Sequence, residues 1–312
     1  MRRTVGIGPQ VEARLPSGFA IALSPGGRWL ARPECVESIE QGAADALFGG
    51  SVRREKRAGS GRGPVMLLQI NGQAAIGKRA MHGGFAGRLL GGLYLGTGRA
   101  LAQAEAAERL LRSGIPTPQV LAVGWRRSFL IFTKQVIVTR AIPGAENLYE
   151  VARQDAPWRR RRAILAASAD LIRRMHDAGF LHADLNVANL VLASGSGVDR
   201  VFVVDLDRGR FEGRLTTPQR LRNLARLQRS YEKWIAGRWP LSPREEVRFL
   251  RSYCRSDGGL LQELRSRLLR YRRSRSAARS TSSTEISSRQ NGFPDGAGGH
   301  SRKKSWRQGE QG

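Results

Sequence analysis

Eight consecutive residues constrain this chain more than any other feature: His182-Ala183-Asp184-Leu185-Asn186-Val187-Ala188-Asn189. Asp184 and Asn189 stand five apart, and Asp205 follows sixteen residues later, at the end of the apolar run Val201-Phe202-Val203-Val204. An Asp in a tight loop can orient a hydroxyl and take its proton. An amide and a later carboxylate suffice to hold magnesium where phosphates supply the remaining oxygens. The element order agrees with this reading: a helical stretch precedes the loop, a short strand follows Asn189, and a strand delivers Asp205. Residues that merely capped turns and ended a strand would not need that order. His182 reads as a brace for the backbone rather than a group that meets substrate.

Upstream, Gly59-Ser60-Gly61-Arg62-Gly63 precedes Val65-Met66-Leu67-Leu68-Gln69-Ile70, and Asn71-Gly72 then turns the chain into Ala74-Ala75-Ile76-Gly77-Lys78. Asn-Gly between two apolar runs is a strong hairpin signal, because both residues tolerate positive φ. Glycines let backbone N–H groups approach phosphate oxygens, so Gly59, Gly61 and Gly63, with Arg62 among them, are candidates for a phosphate-covering loop. Strand alternation places Ile76 and Lys78 on one face. Ile76 can then lie over a base while Lys78 reaches phosphates, with Arg79 as an alternative cation. Such a lysine needs a carboxylate. The alanine- and leucine-rich helix expected over 99–113 offers Glu105 and Glu108 on one face, and Glu105 is preferred.

Strands are expected at Val120–Val123, Leu130–Thr139, Leu190–Leu192 and Val201–Val204. A helix is expected from Trp158 to Ala178, with Ile164, Leu171, Ile172 and Met175 on its buried face. The chain of 312 residues has 53 Lys and Arg against 26 Asp and Glu, a net charge of +27. A body so basic attracts polyanions: nucleic acid, an anionic membrane face or a phosphorylated substrate. No apolar run reaches membrane-spanning length, and the basic start Met1-Arg2-Arg3 lacks the apolar segment of a signal peptide. Cys35 and Cys254, far apart, read as reduced thiols, and no cysteine cluster suggests zinc.

Together these residues resemble the lipopolysaccharide kinases, bacterial relatives of the protein-kinase fold. The likeness spans roughly residues 45–250. It rests on the glycine loop, Gly83-Gly84, Gly114-Ile115-Pro116-Thr117-Pro118, the loop from His182 to Asn189, and Asp205-Leu206-Asp207-Arg208-Gly209. It also includes Asn223-Leu224-Ala225-Arg226-Leu227 with Arg229-Ser230. The resemblance implies an α+β, two-lobe kinase-like fold. A small antiparallel sheet with one helix would form the N-lobe, and a mainly helical C-lobe would follow. The expected division is a leading segment of mixed, loosely ordered chain over 1–45, a nucleotide-binding lobe over 46–142, a catalytic and acceptor-binding lobe over 143–271, and a disordered basic tail over 272–312.

By this likeness Asp184 resembles the catalytic base, Asn189 and Asp205 the metal ligands, and Lys78 the nucleotide lysine, with ATP and Mg2+ as cofactors. Two features depart from the usual pattern: Asp207 stands where protein kinases end Asp-Phe-Gly, and the usual helix glutamate position falls on Gln103. No Ala-Pro-Glu element follows Asp205, which favours a small or lipid-linked acceptor over a peptide. The implied reaction is transfer to the 4-hydroxyl of 3-deoxy-D-manno-octulosonic acid (Kdo) on a lipid A precursor. The partners are that glycolipid and the anionic inner-membrane surface, on its cytoplasmic side, with no specific nucleic acid expected. The rival readings are a heptose kinase of the same family, a small atypical protein kinase, and a catalytically silent nucleic-acid-binding module.

Overall fold

The computed structural model describes residues 18–49, 65–80, 93–95, 98–129, 132–154, 156–194, 199–255, 257–267 and 269–270. Met1–Arg265 forms one compact unit, and the chain from Ser266 onward a second. The first carries everything below. The glycine loop at 59–63, Gly83-Gly84 and the tail at 272–312 lie outside the described residues.

The first described elements are a hairpin of strands β1 (Ala20–Ser24) and β2 (Gly27–Ala31), followed by the short helix α1 (Val36–Glu40). A second hairpin joins β3 (Val65–Ile70) to β4 (Gln73–Arg79), with Ile70 opposite Gln73. Its turn residues Asn71 and Gly72 both have positive φ, 49° and 69°, as a two-residue turn matched to strand twist requires. Then come β5 (Leu93–Leu95), the long helix α2 (Gly98–Arg112), β6 (Val120–Phe129) and β7 (Phe132–Arg140). The strands form one antiparallel sheet in the order β1-β2-β6-β7-β4-β3, with β5 also paired to β7.

Residues 20–48 therefore do not form a loosely ordered leading segment. Two strands of the sheet and a packed helix come from them. Trp29 and Phe48 lie fully buried against one another, with ring centroids 5.3 Å apart, in a core shared with Ile39, Leu47 and Val138. The pattern is hard to read in sequence because β1 leaves Ile21 and Leu23 exposed while burying only Ala22 between them. Its apolar residues thus fall on the solvent face, the reverse of the usual alternation.

Beyond Arg140 the architecture becomes mainly helical. The strand β8 (Ala145–Asn147) leads into the single turn α3 (Leu148–Val151), capped reciprocally by Asn147 and Glu150. Helix α4 (Trp158–Asp177) buries Ile164, Leu171, Ile172 and Met175, the four residues its period assigns to the core. Strands β9 (Phe180–Leu181), β10 (Leu190–Ser194), β11 (Asp199–Val203) and β12 (Arg210–Phe211) follow. β11, β10 and β8 make a three-stranded sheet, and β12 pairs with β9. Helices α5 (Thr217–Trp234) and α6 (Pro243–Cys254) follow, α6 packs on α4, and Leu264 beyond them is buried in the same core.

Gly179, between α4 and β9, aims the chain into the 182–189 loop. Its φ is +80°, and a Cβ there would fall 1.8 Å from the Gly213 carbonyl oxygen, so only glycine permits that crossing. The architecture is α+β and two-lobed, as the resemblance implies.

Candidate active site

The loop after β9 is fixed by its own polar groups and by side chains of α5. The Asp184 N–H donates to His182 Nδ1 at 3.1 Å, so Nε2 carries the proton and donates to the Val204 carbonyl at 3.1 Å. One buried ring thus ties the residue before Asp205 to the backbone of Asp184. Burial holds the His182 imidazole below its ordinary range, so it stays neutral. The expectation that His182 braces backbone describes what it does here.

Asn186 Oδ1 accepts from the N–H groups of Ala188 and Asn189, at 2.9 and 3.1 Å, which closes a turn of 3-10 helix over Val187–Asn189. Asn189 is buried, and its Nδ2 donates to the Asp184 carbonyl at 2.8 Å, leaving its Oδ1 as the group free to face a cation. The Asp184 carboxylate, by contrast, is 64% exposed. Asn186 Nδ2 donates to its Oδ2 at 3.1 Å, and Arg226 Nη1 from α5 donates to its Oδ1 at 3.1 Å. A hydroxyl-bearing substrate can reach it from solvent.

Asp205 sits just past β11 at φ +58°, a left-handed conformation uncommon outside glycine, which turns its carboxylate back toward the sheet. Lys78 Nζ, from the end of β4, lies 2.6 Å from Asp205 Oδ1. That oxygen is buried and accepts no well-aligned hydrogen bond among the described residues. A cleft of about 190 Å³ lies over this pair. Val65, Ile76 and Lys78 line it on the sheet side, and Asn189, Val191 and Asp205 on the other. Ile76 and Lys78 share one face of β4, as alternation requires.

The residues fit a nucleotide and magnesium. A buried carboxylate oxygen with only an ammonium beside it, next to an amide oxygen, offers two hard ligands. No group of three or more His, Cys, Asp or Glu that could hold a metal occurs among the described residues. A cation here would therefore take its other ligands from phosphate oxygens and water.

Glu105 is not brought to Lys78. It is exposed on α2, and Gln103 lines the cleft in its place. Helical residues two positions apart, as Gln103 and Glu105 are, point about 200° from one another, so one of them faces away. Glu108, the other candidate, pairs with Arg32. The carboxylate that meets Lys78 is instead Asp205. Arg79 is also unavailable as a phosphate cation, because its guanidinium donates to the carbonyls of Leu47 and Gly49.

Sequence reasoning assigned no role to two further arrangements. Arg99, in the first turn of α2, forks onto both carboxylate oxygens of Asp207 (Nε to Oδ1, 2.6 Å), donates to the Tyr94 hydroxyl, and lies 4.7 Å over the Tyr94 ring. Arg99 and Gln103 are four apart, on one helix face, and that spacing was the available signal. Behind the loop, Asn223 of α5 accepts from the His182 N–H and from His176 Nε2, both at 3.2 Å, and donates to the His182 carbonyl at 2.8 Å. His176 Nδ1 in turn accepts from the Tyr253 hydroxyl at 2.7 Å. Burial drives His176 down to about 3 and Tyr253 up to about 12.

The family model of the lipopolysaccharide kinase (Kdo/WaaP) family matches residues 58–253. A 3-deoxy-D-manno-octulosonic acid kinase of Haemophilus influenzae is 31% identical over 195 residues, which cover 59% of this chain and 78% of that one. The protein of the same name from Vibrio parahaemolyticus is 27% identical over 209 residues, covering 66% and 84%. A solved structure described as WaaP in complex with acyl carrier protein aligns with a TM-score of 0.50 at 26% identity, over 72% of this chain and 90% of that one. With the family match running from the glycine loop through Tyr253, and the paired carboxylate, amide and lysine gathered in one cleft, the chain belongs to the lipopolysaccharide kinase (Kdo/WaaP) family.

Proposed function

We propose that this kinase transfers the γ-phosphoryl group of ATP to a hydroxyl of Kdo on a lipid A precursor. The observation that carries the reading is the cleft in which Lys78 meets Asp205 beside Asn189, with the exposed Asp184 carboxylate on the same loop as Asn189. Asp184 is the group that orients the acceptor hydroxyl and receives its proton. Lys78 holds the α- and β-phosphates, and Ile76 packs on the base. Asn189 and Asp205 would hold magnesium, which supplies positive charge to the phosphate oxygens. Gly59, Gly61, Arg62 and Gly63, outside the described residues, would cover the phosphates. The sugar acceptor is supported by the names of the relatives above.

The lobes divide at Ile142–Pro143 in this reading. The acceptor is a lipid, and the net charge of +27 suits an anionic inner-membrane surface. Among the described residues no helix is long and apolar enough to cross a membrane. Liposome binding indifferent to both anionic lipid and salt would remove that part of the reading.

The test is incubation with labelled ATP, magnesium and a Kdo-bearing lipid A precursor, beside a heptose-bearing acceptor and an Asp184→Ala control. Label on the Kdo lipid that disappears in the control is the expected result. Label on the heptose acceptor alone would reassign the sugar. Absence of ATP binding would overturn the kinase reading.

A further inference from the structure

The segment between Asp184 and Asn189 reads Leu-Asn-Val-Ala and contains no cation. Yet the step assigned to this loop concentrates negative charge beside Asp184. Lys78, assigned to the α- and β-phosphates, lies 2.6 Å from Asp205 and is not paired with Asp184. Arg79 is tied to backbone carbonyls. The cation at Asp184 comes from elsewhere in the chain: Arg226, at the middle of α5.

Arg226 Nη1 donates to the Ala183 carbonyl at 2.6 Å and to Asp184 Oδ1 at 3.1 Å. Its side chain is 46% exposed, and its Nε and Nη2 meet no acceptor among the described residues. A guanidinium carries five N–H donors in a fixed fork. One nitrogen here is held by the Ala183 carbonyl and by Asp184 Oδ1, while Nε and Nη2 have no acceptor among the described residues. The anchor is rigid: α5 is held to the same loop one turn later by Ser230, whose Oγ accepts from the Val187 N–H at 3.2 Å. Asn223, one turn earlier, holds His182. Residues 223, 226 and 230 therefore form one helix face laid along the catalytic loop.

We infer that Arg226 is a catalytic residue that binds the oxygens of the phosphoryl group in flight, supplying from α5 the charge that the loop lacks. The inference rests on the phosphotransfer reading above. In the step, the acceptor hydroxyl gives its proton to the Asp184 carboxylate and its oxygen forms the new O–P bond. The bond from the γ-phosphorus to the bridging oxygen breaks, and its electron pair leaves on ADP. Arg226 keeps Nη1 on Ala183 as a pivot and offers Nε and Nη2 to the equatorial oxygens. An arginine in this role acts on the transition state more than on bound ATP.

The experiment compares wild type, Arg226→Lys and Arg226→Ala in two reactions: hydrolysis of ATP by water, which needs no sugar, and transfer to the Kdo lipid. ATP affinity is read separately by calorimetry, and folding by thermal melting. Both rates should fall on the order of 100-fold in Arg226→Ala, with ATP affinity and melting temperature held. Added guanidinium should restore part of the lost rate in Arg226→Ala. Arg226→Lys should fall between, because it keeps the charge and loses the fork. A raised KM for the glycolipid with hydrolysis unchanged would overturn the inference and make Arg226 an acceptor-reading residue. A parallel loss of ATP affinity and melting temperature, with no rescue, would reduce it to a structural tie. Wild type that hydrolyses ATP but leaves the Kdo lipid unlabelled would count against the acceptor alone, and Arg226 would then be judged on hydrolysis.

Discussion

Replacing Asn223 by leucine isolates what the buried polar network contributes. Leucine has the branched shape of asparagine and is the larger of the two, so no cavity opens and the main loss is one of hydrogen bonds. Three partners lose theirs: the His182 N–H, the His182 carbonyl and His176 Nε2. All belong to fully buried residues, so water cannot replace Asn223 without the fold opening. A buried polar group left unpaired costs about 1–3 kcal/mol, and partial relaxation of the loop will recover some of it, so the substitution should cost about 3–6 kcal/mol. For a domain of this size 1 kcal/mol moves the melting temperature by about 2–4 °C, so a fall on the order of 10 °C is expected. The assay is urea unfolding followed by tryptophan fluorescence and far-UV circular dichroism together, with free energies taken where the two transitions coincide. A loss below about 1 kcal/mol, the worth of one ordinary hydrogen bond, would show that the three groups find other partners and that Asn223 does not brace the loop.

Two further outcomes are expected. His176, held down to about 3, and His182, also lowered by burial, stay neutral in the folded chain while their unfolded counterparts take up protons below about 6.5. The unfolded state then binds more protons, so stability should fall as pH drops below about 6.5, by up to ~1.4 kcal/mol per pH unit for each histidine, and for His176 until about pH 3. Urea midpoints that stay level between about pH 7 and 5 would contradict this. Arg99→Ala and Asp207→Ala remove the same fork between α2 and the segment just after Asp205, so their effects on kcat should not add. A coupling on the order of 1–3 kcal/mol is expected from the double-mutant cycle, and simple additivity would mean the fork does not position the loop.

The fold's skeleton was legible where short-range chemistry decides it. The Asn71-Gly72 turn, the buried face of α4 and the turn that Asn186 closes onto Asn189 each depend on residues close in sequence. What escaped depends on distant partners. Strand β1 presents Ile21 and Leu23 to solvent, so its membership in the sheet follows from pairing with β2 and not from its own pattern. Glu105 and Gln103 are two residues apart, and the rotation of α2 that selects Gln103 is set by long-range ties. These are Arg32 to Glu108, and the Ala100 N–H to the buried Gln135 side chain at 2.9 Å. Arg226 and Asn223 lie in a stretch whose family likeness was visible. Their contact with residues some forty positions earlier exists only in three dimensions.

The brace behind the catalytic loop also has a direction in time. The sheet of the first lobe has all its strands once Arg140 has been synthesised. The loop at 182–189 is made next, but Asn223 follows it by forty-one residues and Tyr253 by seventy-one, counted from His182. A nascent chain that has exposed Asp184 and Asp205 therefore still has the His182 backbone without its Asn223 partner. The sheet that carries Lys78 can therefore form before the 182–189 loop gains its brace, which waits until α5 and α6 have both emerged.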